Sequence, residues 1–230
     1  MLGRSILQRG LFMTLHVDLY YTMRSPYCYL STPQLMALVG EYDLAFDLKP
    51  VYPLAISDPT FFQRVDPLFP RYLFRDTARL AKRLNIPYRW PRPDPVVQDM
   101  EKDVTSAEQP FIRHLTCLAQ AAAETKHGLE FVASVSKLIF SPIIDGWNTG
   151  DHLCDAIAEA GLSAEELNAV VSNEEPRLES AIAANRKQQL GSGHWGAPLF
   201  VFESESFFGQ DRIVDLVWHL KNCGLEARTA

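Results

Sequence analysis

The stretch MRSPYCYL, residues 23–30, joins an apolar run rich in β-forming residues to a segment that begins like a helix. The run before it, residues 16–21, predicts a buried strand. Ser25 is a favourable N-cap and Pro26 suits the first helical position, so we expect a helix from here to about Val39. With cysteine in place of Ser25 the motif would be a redox Cys-x-x-Cys. This chain carries a hydroxyl at that position instead.

Outside this stretch, the order of the predicted elements points to a fold class. A second strand is expected at residues 43–52, and a strand, a helix and a strand in that order form a parallel βαβ unit. Near the other end of the chain, residues 198–208 predict two short strands around a turn at residues 203–205. A last helix is expected over residues 210–222.

Between these two regions the pattern is helical, over residues 58–190. The helices expected there lie at 71–84, at 107–127, at 129–140, at 151–161 and at 174–190, and one more follows the capping box formed by Ser163 and Glu166. The helix at 107–127 should start near Pro110 and stop at Gly128. The order βαβ, helices, ββα predicts an α/β, thioredoxin-like fold with a large α-helical insertion. We assign residues 14–55 and 191–226 to a discontinuous thioredoxin-like domain and residues 56–190 to an inserted α-helical domain.

The composition restricts the classes of partner. The formal net charge is −6 over 230 residues, which argues against nucleic acid. No apolar run reaches the roughly 18 residues that a membrane span requires. Residues 1–12 look like a loose extension, with Met13 as a possible true start, and they lack the features of a secretory signal. We therefore expect a cytoplasmic protein.

The four cysteines show no paired spacing, so we expect reduced thiols. Cys117, Cys154 and Cys223 lie in or beside apolar helical patterns, which predicts that they are small core residues. His114 and Cys117 share a helix face, but two ligands do not make a structural zinc site. We therefore predict no metal.

Four motifs occur together in one order: SPYCYL, RYLFRDTARLAKRLNIP, WGAP and FFGQDR. The ordered set resembles the 2-hydroxychromene-2-carboxylate isomerase family, which is related to the kappa-class glutathione transferases and the DsbA-type oxidoreductases. The resemblance covers residues 17–220. The chain departs from the family pattern at Cys28, where the family has serine, and at Leu199, where it has threonine.

The resemblance implies glutathione as cofactor and Ser25 as the catalytic residue. It also implies a cis peptide before Pro198, which would leave the backbone of Ala197 free to pair with glutathione. A helix N-terminus favours a thiolate, and the Ser25 hydroxyl can donate to that thiolate without forming a disulfide. The backbone near Gln210 and the carboxylate of Asp211 suit the γ-glutamyl end of glutathione.

The implied reaction interconverts 2-hydroxychromene-2-carboxylate and trans-o-hydroxybenzylidenepyruvate in the bacterial degradation of aromatic compounds. The substrate would be a small aromatic carboxylate held in an apolar cleft, and family relatives suggest a homodimer. Candidates for binding the substrate are Tyr27, Trp195, Phe61, Phe62 and Arg71. The basic set that includes Arg71 is either a solvated face or a source of a cation for a carboxylate.

Several alternatives remain open at this stage. A Ser-Pro pair at a helix start is often only a cap. Cys28 is either a redox residue, able to form a mixed disulfide with glutathione, or a buried and inert one. A kappa-like glutathione transferase, a thiol-disulfide oxidoreductase and a non-catalytic binding protein are the competing functions.

Overall fold

The computed structural model describes residues 14–99 and 104–228. The expectation of a start at Met13 falls outside these residues. The elements are, in chain order, β1 (Leu15–Tyr21), α1 (Pro26–Glu41), β2 (Leu44–Pro50), α2 (Leu54–Ser57), α3 (Phe61–Arg64), α4 (Leu68–Leu84), β3 (Gln98–Asp99), β4 (Val104–Thr105), α5 (Pro110–Ala123), α6 (Gly128–Ile139), α7 (His152–Glu159), α8 (Ala164–Gly191), β5 (Leu199–Phe202), β6 (Glu205–Phe208), a short 3₁₀ helix (Gln210–Arg212) and α9 (Ile213–Asn222).

Four strands form one mixed sheet in the order β2-β1-β5-β6. The βαβ prediction is confirmed, because β1 and β2 are parallel and pair Leu19 with Leu48. On its other side β1 pairs with β5 in the antiparallel sense, with Leu19 opposite Phe200. Val17, Leu19 and Tyr21 face the large core, and Tyr20 is buried on the opposite face of the strand against Val51 and Leu199. The first and last parts of the sequence therefore meet in one sheet.

Helix α1 begins where the sequence predicts. Ser25 has extended backbone angles, and its side chain accepts a hydrogen bond from the backbone N–H of Cys28. The helix continues through Pro33, which has no N–H to offer the carbonyl of Tyr29. The hydroxyl of Thr32 donates to that carbonyl at 2.8 Å, so the acceptor is still satisfied.

One expectation about the helices is wrong, and one short hairpin was not predicted. Gly128 begins α6 and does not end the helix before it, since α5 already ends at Ala123. A Cβ at Gly128 would lie 3.1 Å from the Cα of Ala123 and 3.3 Å from Leu48, so a side chain here would force these neighbours to shift by a few tenths of an ångström. The short hairpin of β3 and β4 was not predicted, because two-residue strands carry no readable period.

The cysteine expectations hold only in part. Cys117 is buried, as expected, but Cys154 and Cys223 are exposed. Helix α7 buries Ala156 and Ile157 instead of Cys154. Cys223 lies just beyond the end of α9, in the exposed turn that follows the helix.

One large hydrophobic cluster includes residues of the sheet and of the helical block, such as Leu19, Leu118 and Phe131. The boundaries of the two expected domains stay a prediction. In the described part of the chain, no helix has the length and apolar character needed to cross a membrane.

Candidate functional site

A cleft of about 920 Å³ lies between the start of α1, the helix α4 and the loops on either side of the β5–β6 hairpin. Much of its lining is aromatic: Tyr52, Phe61, Phe69, Tyr72, Trp90, Trp195 and Phe208. A cleft of this size with apolar walls and a few polar groups is typical of a small-molecule site. Ser25 and Tyr27 of the SPYC motif line it as well.

Ser25 connects the helix start to the β5 side of the sheet. Its Oγ accepts from the N–H of Cys28 at 3.3 Å and donates to the carbonyl of Ala197, also at 3.3 Å. Both hydrogen bonds are long, so a stronger acceptor placed in the cleft can compete for the Ser25 proton. The positive end of the 16-residue helix α1 lies at the same place.

The predicted glutathione-binding residues gather around Ser25. The peptide bond between Ala197 and Pro198 is cis. Ala197, Gln210 and Asp211 line the cleft, whereas Pro198 is buried behind it. The Gly209 N–H donates to the Pro198 carbonyl at 2.9 Å, which fixes the last loop against the residues next to Ser25.

The segment after Gly209 differs from the prediction in one respect. Residues Gln210–Arg212 form a 3₁₀ turn, and the α-helix begins only at Ile213. Asp211 is 62% exposed at this turn, so its carboxylate is available from solvent. Arg212 pairs with Asp215 at 3.0 Å and with Asp211 at 3.4 Å.

Phe208 packs closely against the loop that precedes β5. Its ring stacks on His194 with 3.8 Å between the ring centroids. Gly196 makes this approach possible, because a Cβ there would lie 2.7 Å from Cζ of Phe208. The ring of Trp195, in the same loop, lies 5.2 Å from that of Phe61. Phe61 and Trp195 therefore share one wall of the cleft, as predicted, while the side chain of Phe62 lies outside the described residues.

Tyr27 links the two sides of the cleft. Its hydroxyl donates to Asp76 of α4 at 2.7 Å. Asp76 also accepts from Arg79 at 2.8 Å and from Tyr72 at 3.3 Å. These donors lower the pKa of Asp76, and the hydrogen bond from Tyr27 has the largest effect. Burial and the bond to Asp76 raise the pKa of Tyr27, so its hydroxyl stays protonated.

Arg71, a candidate for binding the substrate, does not line the cleft. Arg79 and Arg83 line it instead. The helical period explains the difference. The face of α4 toward the cleft carries residues three or four positions apart, namely Tyr72, Asp76, Arg79 and Arg83. Arg71 precedes Tyr72 by one position and so projects from a different side of the helix. Within the described residues, no carboxylate pairs with Arg83.

An ion pair that the sequence did not reveal lies next to Ser25. Arg24 binds Asp94 through Nε at 3.1 Å and through Nη2 at 2.9 Å. Arg24 is 8% exposed and lines the cleft. The two residues are 70 positions apart, and Asp94 belongs to an irregular stretch rich in proline, so no local pattern could have joined them.

Cys28 lies within the core. It is 0% exposed, and burial raises the pKa of its thiol to about 12. Of the two interpretations of Cys28, the structure favours the buried and inert one, because desolvation outweighs the hydrogen bonds from Thr22 and Ser25 and raises the pKa of the thiol. Thiol-disulfide exchange requires an accessible thiolate, which this arrangement does not provide.

The sheet, the helix start with Ser25 and the cis proline opposite it define a thioredoxin-like protein with an α-helical insertion. The family model of the DSBA-like thioredoxin domain matches residues 16–221, and the chain belongs to this family. The predicted fold class is thereby confirmed. No curated protein sequence is similar enough to the chain to count as a match.

Solved structures with the same fold include an isomerase and oxidoreductases. A structure of 2-hydroxychromene-2-carboxylate isomerase has a TM-score of 0.68 at 16% identity, covering 91% of this chain and 96% of the other. A probable DsbA oxidoreductase from Streptomyces coelicolor has a TM-score of 0.61 at 16% identity, with coverage of 89% and 90%. The cytosolic disulfide reductase DsbM from Pseudomonas aeruginosa, with GSH, has a TM-score of 0.55 at 19% identity, with coverage of 90% and 100%. At these identities the likeness concerns the fold.

Proposed function

We propose that the protein is a glutathione-dependent isomerase that interconverts 2-hydroxychromene-2-carboxylate and trans-o-hydroxybenzylidenepyruvate. One observation carries the proposal. The Ser25 hydroxyl lies at the start of α1 in an aromatic cleft, while the thiol of Cys28 is buried in the core. The site can therefore stabilise the sulfur of a ligand but supplies no reactive sulfur itself.

Glutathione fits the groups around Ser25. Its thiolate would accept a hydrogen bond from the Ser25 hydroxyl, which donates to the Ala197 carbonyl at an O–O distance of 3.3 Å. The backbone of Ala197 would pair with the cysteinyl residue of glutathione, as an added strand does. Asp211 would face the γ-glutamyl ammonium. The DsbM structure with GSH supports glutathione as a ligand of this fold.

In the proposed reaction, glutathione supplies the nucleophile and the protein supplies orientation and charge stabilisation. The thiolate adds to the unsaturated substrate, the ring opens, a bond rotates and the thiolate leaves. Substrate and product are isomers, so the cycle consumes no oxidant or reductant. The aromatic walls suit the ring of the substrate.

Disulfide exchange is the main competing chemistry, since oxidoreductases share the fold. A dithiol mechanism needs a first cysteine where this chain has Ser25, and an exchangeable thiolate that the pKa of Cys28 disfavours. A kappa-like transferase would use the same glutathione site with a different electrophile. An isomerase should turn over the isomerase substrate, whereas a kappa-like transferase should turn over a generic electrophile. Assays with both compounds distinguish the two functions.

The decisive experiment measures isomerisation of trans-o-hydroxybenzylidenepyruvate with and without glutathione. We expect turnover that depends on glutathione, and a fall of roughly 10-fold to 1000-fold in Ser25→Ala, the scale of losing one charge-stabilising donor. Equal rates without glutathione, or unchanged rates in Ser25→Ala, would refute the proposal. The homodimer and the cytoplasmic location stay predictions, and size-exclusion chromatography with light scattering tests the first.

A further inference from the structure

The cleft contains a buried cation to which the isomerisation described above gives no role. Arg24 directly precedes Ser25, is more than nine-tenths buried and lines the same cleft. An arginine stays charged at any physiological pH, so its burial requires partners. Asp94 provides two hydrogen bonds, to Nε and to Nη2.

Further contacts fix the plane of the Arg24 guanidinium. It lies over the ring of Trp90, 5.0 Å from the ring centroid. Asp94 is itself held by the indole N–H of Trp90 at 3.2 Å and by the backbone N–H of Val96 at 2.9 Å. The cation is therefore oriented before any ligand arrives, which lowers the cost of binding one.

One nitrogen of this guanidinium remains available. Within the described residues, Nη1 of Arg24 makes no hydrogen bond, and this nitrogen is not fully buried. Nη1 therefore keeps some accessible surface, and the cavity that Arg24 lines is the cleft. Two N–H groups on a rigid, charged plane match a carboxylate oxygen.

We propose that Arg24 binds the carboxylate of the aromatic substrate through Nη1 and so selects aromatic acids over neutral aromatic compounds. The identity of the substrate rests on the proposed function. The choice of an aromatic acid follows from the cleft that Arg24 lines, because the rings of Phe69, Tyr72 and Trp90 line it too and give it an aromatic surface. A flat ring can lie on this surface while its carboxylate reaches Arg24.

The other arginines of the cleft differ from Arg24. Arg79 and Arg212 also pair with carboxylates, but their side chains are 67% and 56% exposed, so water competes for their donors. Arg83 has no carboxylate partner among the described residues, but it is exposed and lies on the rim. It is the main competitor for the same role and therefore the comparison variant.

The test compares trans-cinnamate with trans-cinnamamide by calorimetry, in the absence of glutathione. The two probes differ only in the carboxylate. In the parent protein cinnamate should bind about 10-fold to 100-fold more tightly, the scale of a hydrogen bond to a charged group. In the double variant Arg24→Gln/Asp94→Asn the preference should fall to about twofold or less, because both charges are removed together. Arg83→Gln should keep the preference.

Because the double variant also replaces Asp94, it leaves no buried carboxylate without its partner. Circular dichroism establishes whether this variant folds. If it does not fold, Arg24→Lys keeps the charge but loses the planar donor pair, and it should lower the preference for cinnamate at least fivefold. The proposal is overturned by a parent protein without preference, by a folded Arg24 variant that keeps it, or by its loss in Arg83→Gln. A protein that prefers cinnamate but shows no isomerase activity would contradict the proposed function and leave the carboxylate site in place.

Discussion

Replacing Tyr27 with phenylalanine removes one hydroxyl that joins α1 to α4 across the cleft. That hydroxyl donates to Asp76 at 2.7 Å. A hydrogen bond to a charged acceptor contributes about 1.5–3 kcal/mol. Asp76 is 25% exposed and keeps Arg79 as a donor, so water and Arg79 compensate in part. We expect the free energy of unfolding to fall by about 1 kcal/mol near neutral pH.

The pH dependence gives this loss a signature. The Tyr27 bond lowers the pKa of Asp76 in the folded protein. A lowered carboxyl pKa stabilises the fold above the unfolded value of about 3.9, and that stabilisation is lost as the pH falls through the lowered folded value. The difference between parent and Tyr27→Phe should therefore be largest near neutral pH and shrink in acid.

Urea unfolding of both proteins at pH about 7 and about 3 measures this difference directly. Tyr72→Phe is the matched control, since its hydroxyl reaches the same carboxylate at 3.3 Å from an exposed position. We expect the control to lose less than about 0.5 kcal/mol. Equal stability of Tyr27→Phe and parent at neutral pH, or a loss that does not change with pH, would refute the reasoning.

Three further predictions concern single residues. Thr22→Val should raise the free energy of unfolding by about 1 kcal/mol, because the Thr22 hydroxyl is buried without a partner among the described residues. Chemical denaturation that shows no increase in the free energy of unfolding would contradict this prediction. Asp211→Ala should weaken glutathione binding roughly fivefold to tenfold, as measured by calorimetry. Asp215→Ala should keep the affinity of the parent protein, although Asp215 also pairs with Arg212. Equal affinities of Asp211→Ala and the parent would exclude the role of Asp211. Oxidised glutathione should leave Cys28 unmodified in a background where the two exposed cysteines are serine, and an intact-mass adduct that Cys28→Ser abolishes would restore a redox role.

Local signals in the sequence were enough to place the helix start and the strands. The cap of α1 depends on Ser25, Pro26 and Cys28, which lie within four residues of each other, so its geometry could be read directly. The β-forming residues of β1 and the turn between β5 and β6, where Glu203 and Ser204 have positive φ, are equally local.

Contacts between distant segments could not be predicted. The bond between Tyr27 and Asp76 spans 49 positions and that between Arg24 and Asp94 spans 70. The choice of Arg71 failed because the sequence shows which residues share a helix face but not which face meets the cleft. The burial of Cys28 depends on how α1 packs on the sheet, so the sequence could not decide between a reactive and an inert thiol.

The central claim is that Ser25 at the start of α1 stabilises the thiolate of bound glutathione. The pKa of that thiol, measured from the ultraviolet absorbance of the thiolate in the parent and in Ser25→Ala, tests it directly. We predict that the bound thiol ionises below the value of about 8.5 that is typical of a free cysteine thiol. In Ser25→Ala its pKa should rise by roughly one unit or more, equivalent to about 1.4 kcal/mol. The same pKa in both proteins, or a bound thiol that ionises no more readily than free glutathione, would contradict the account.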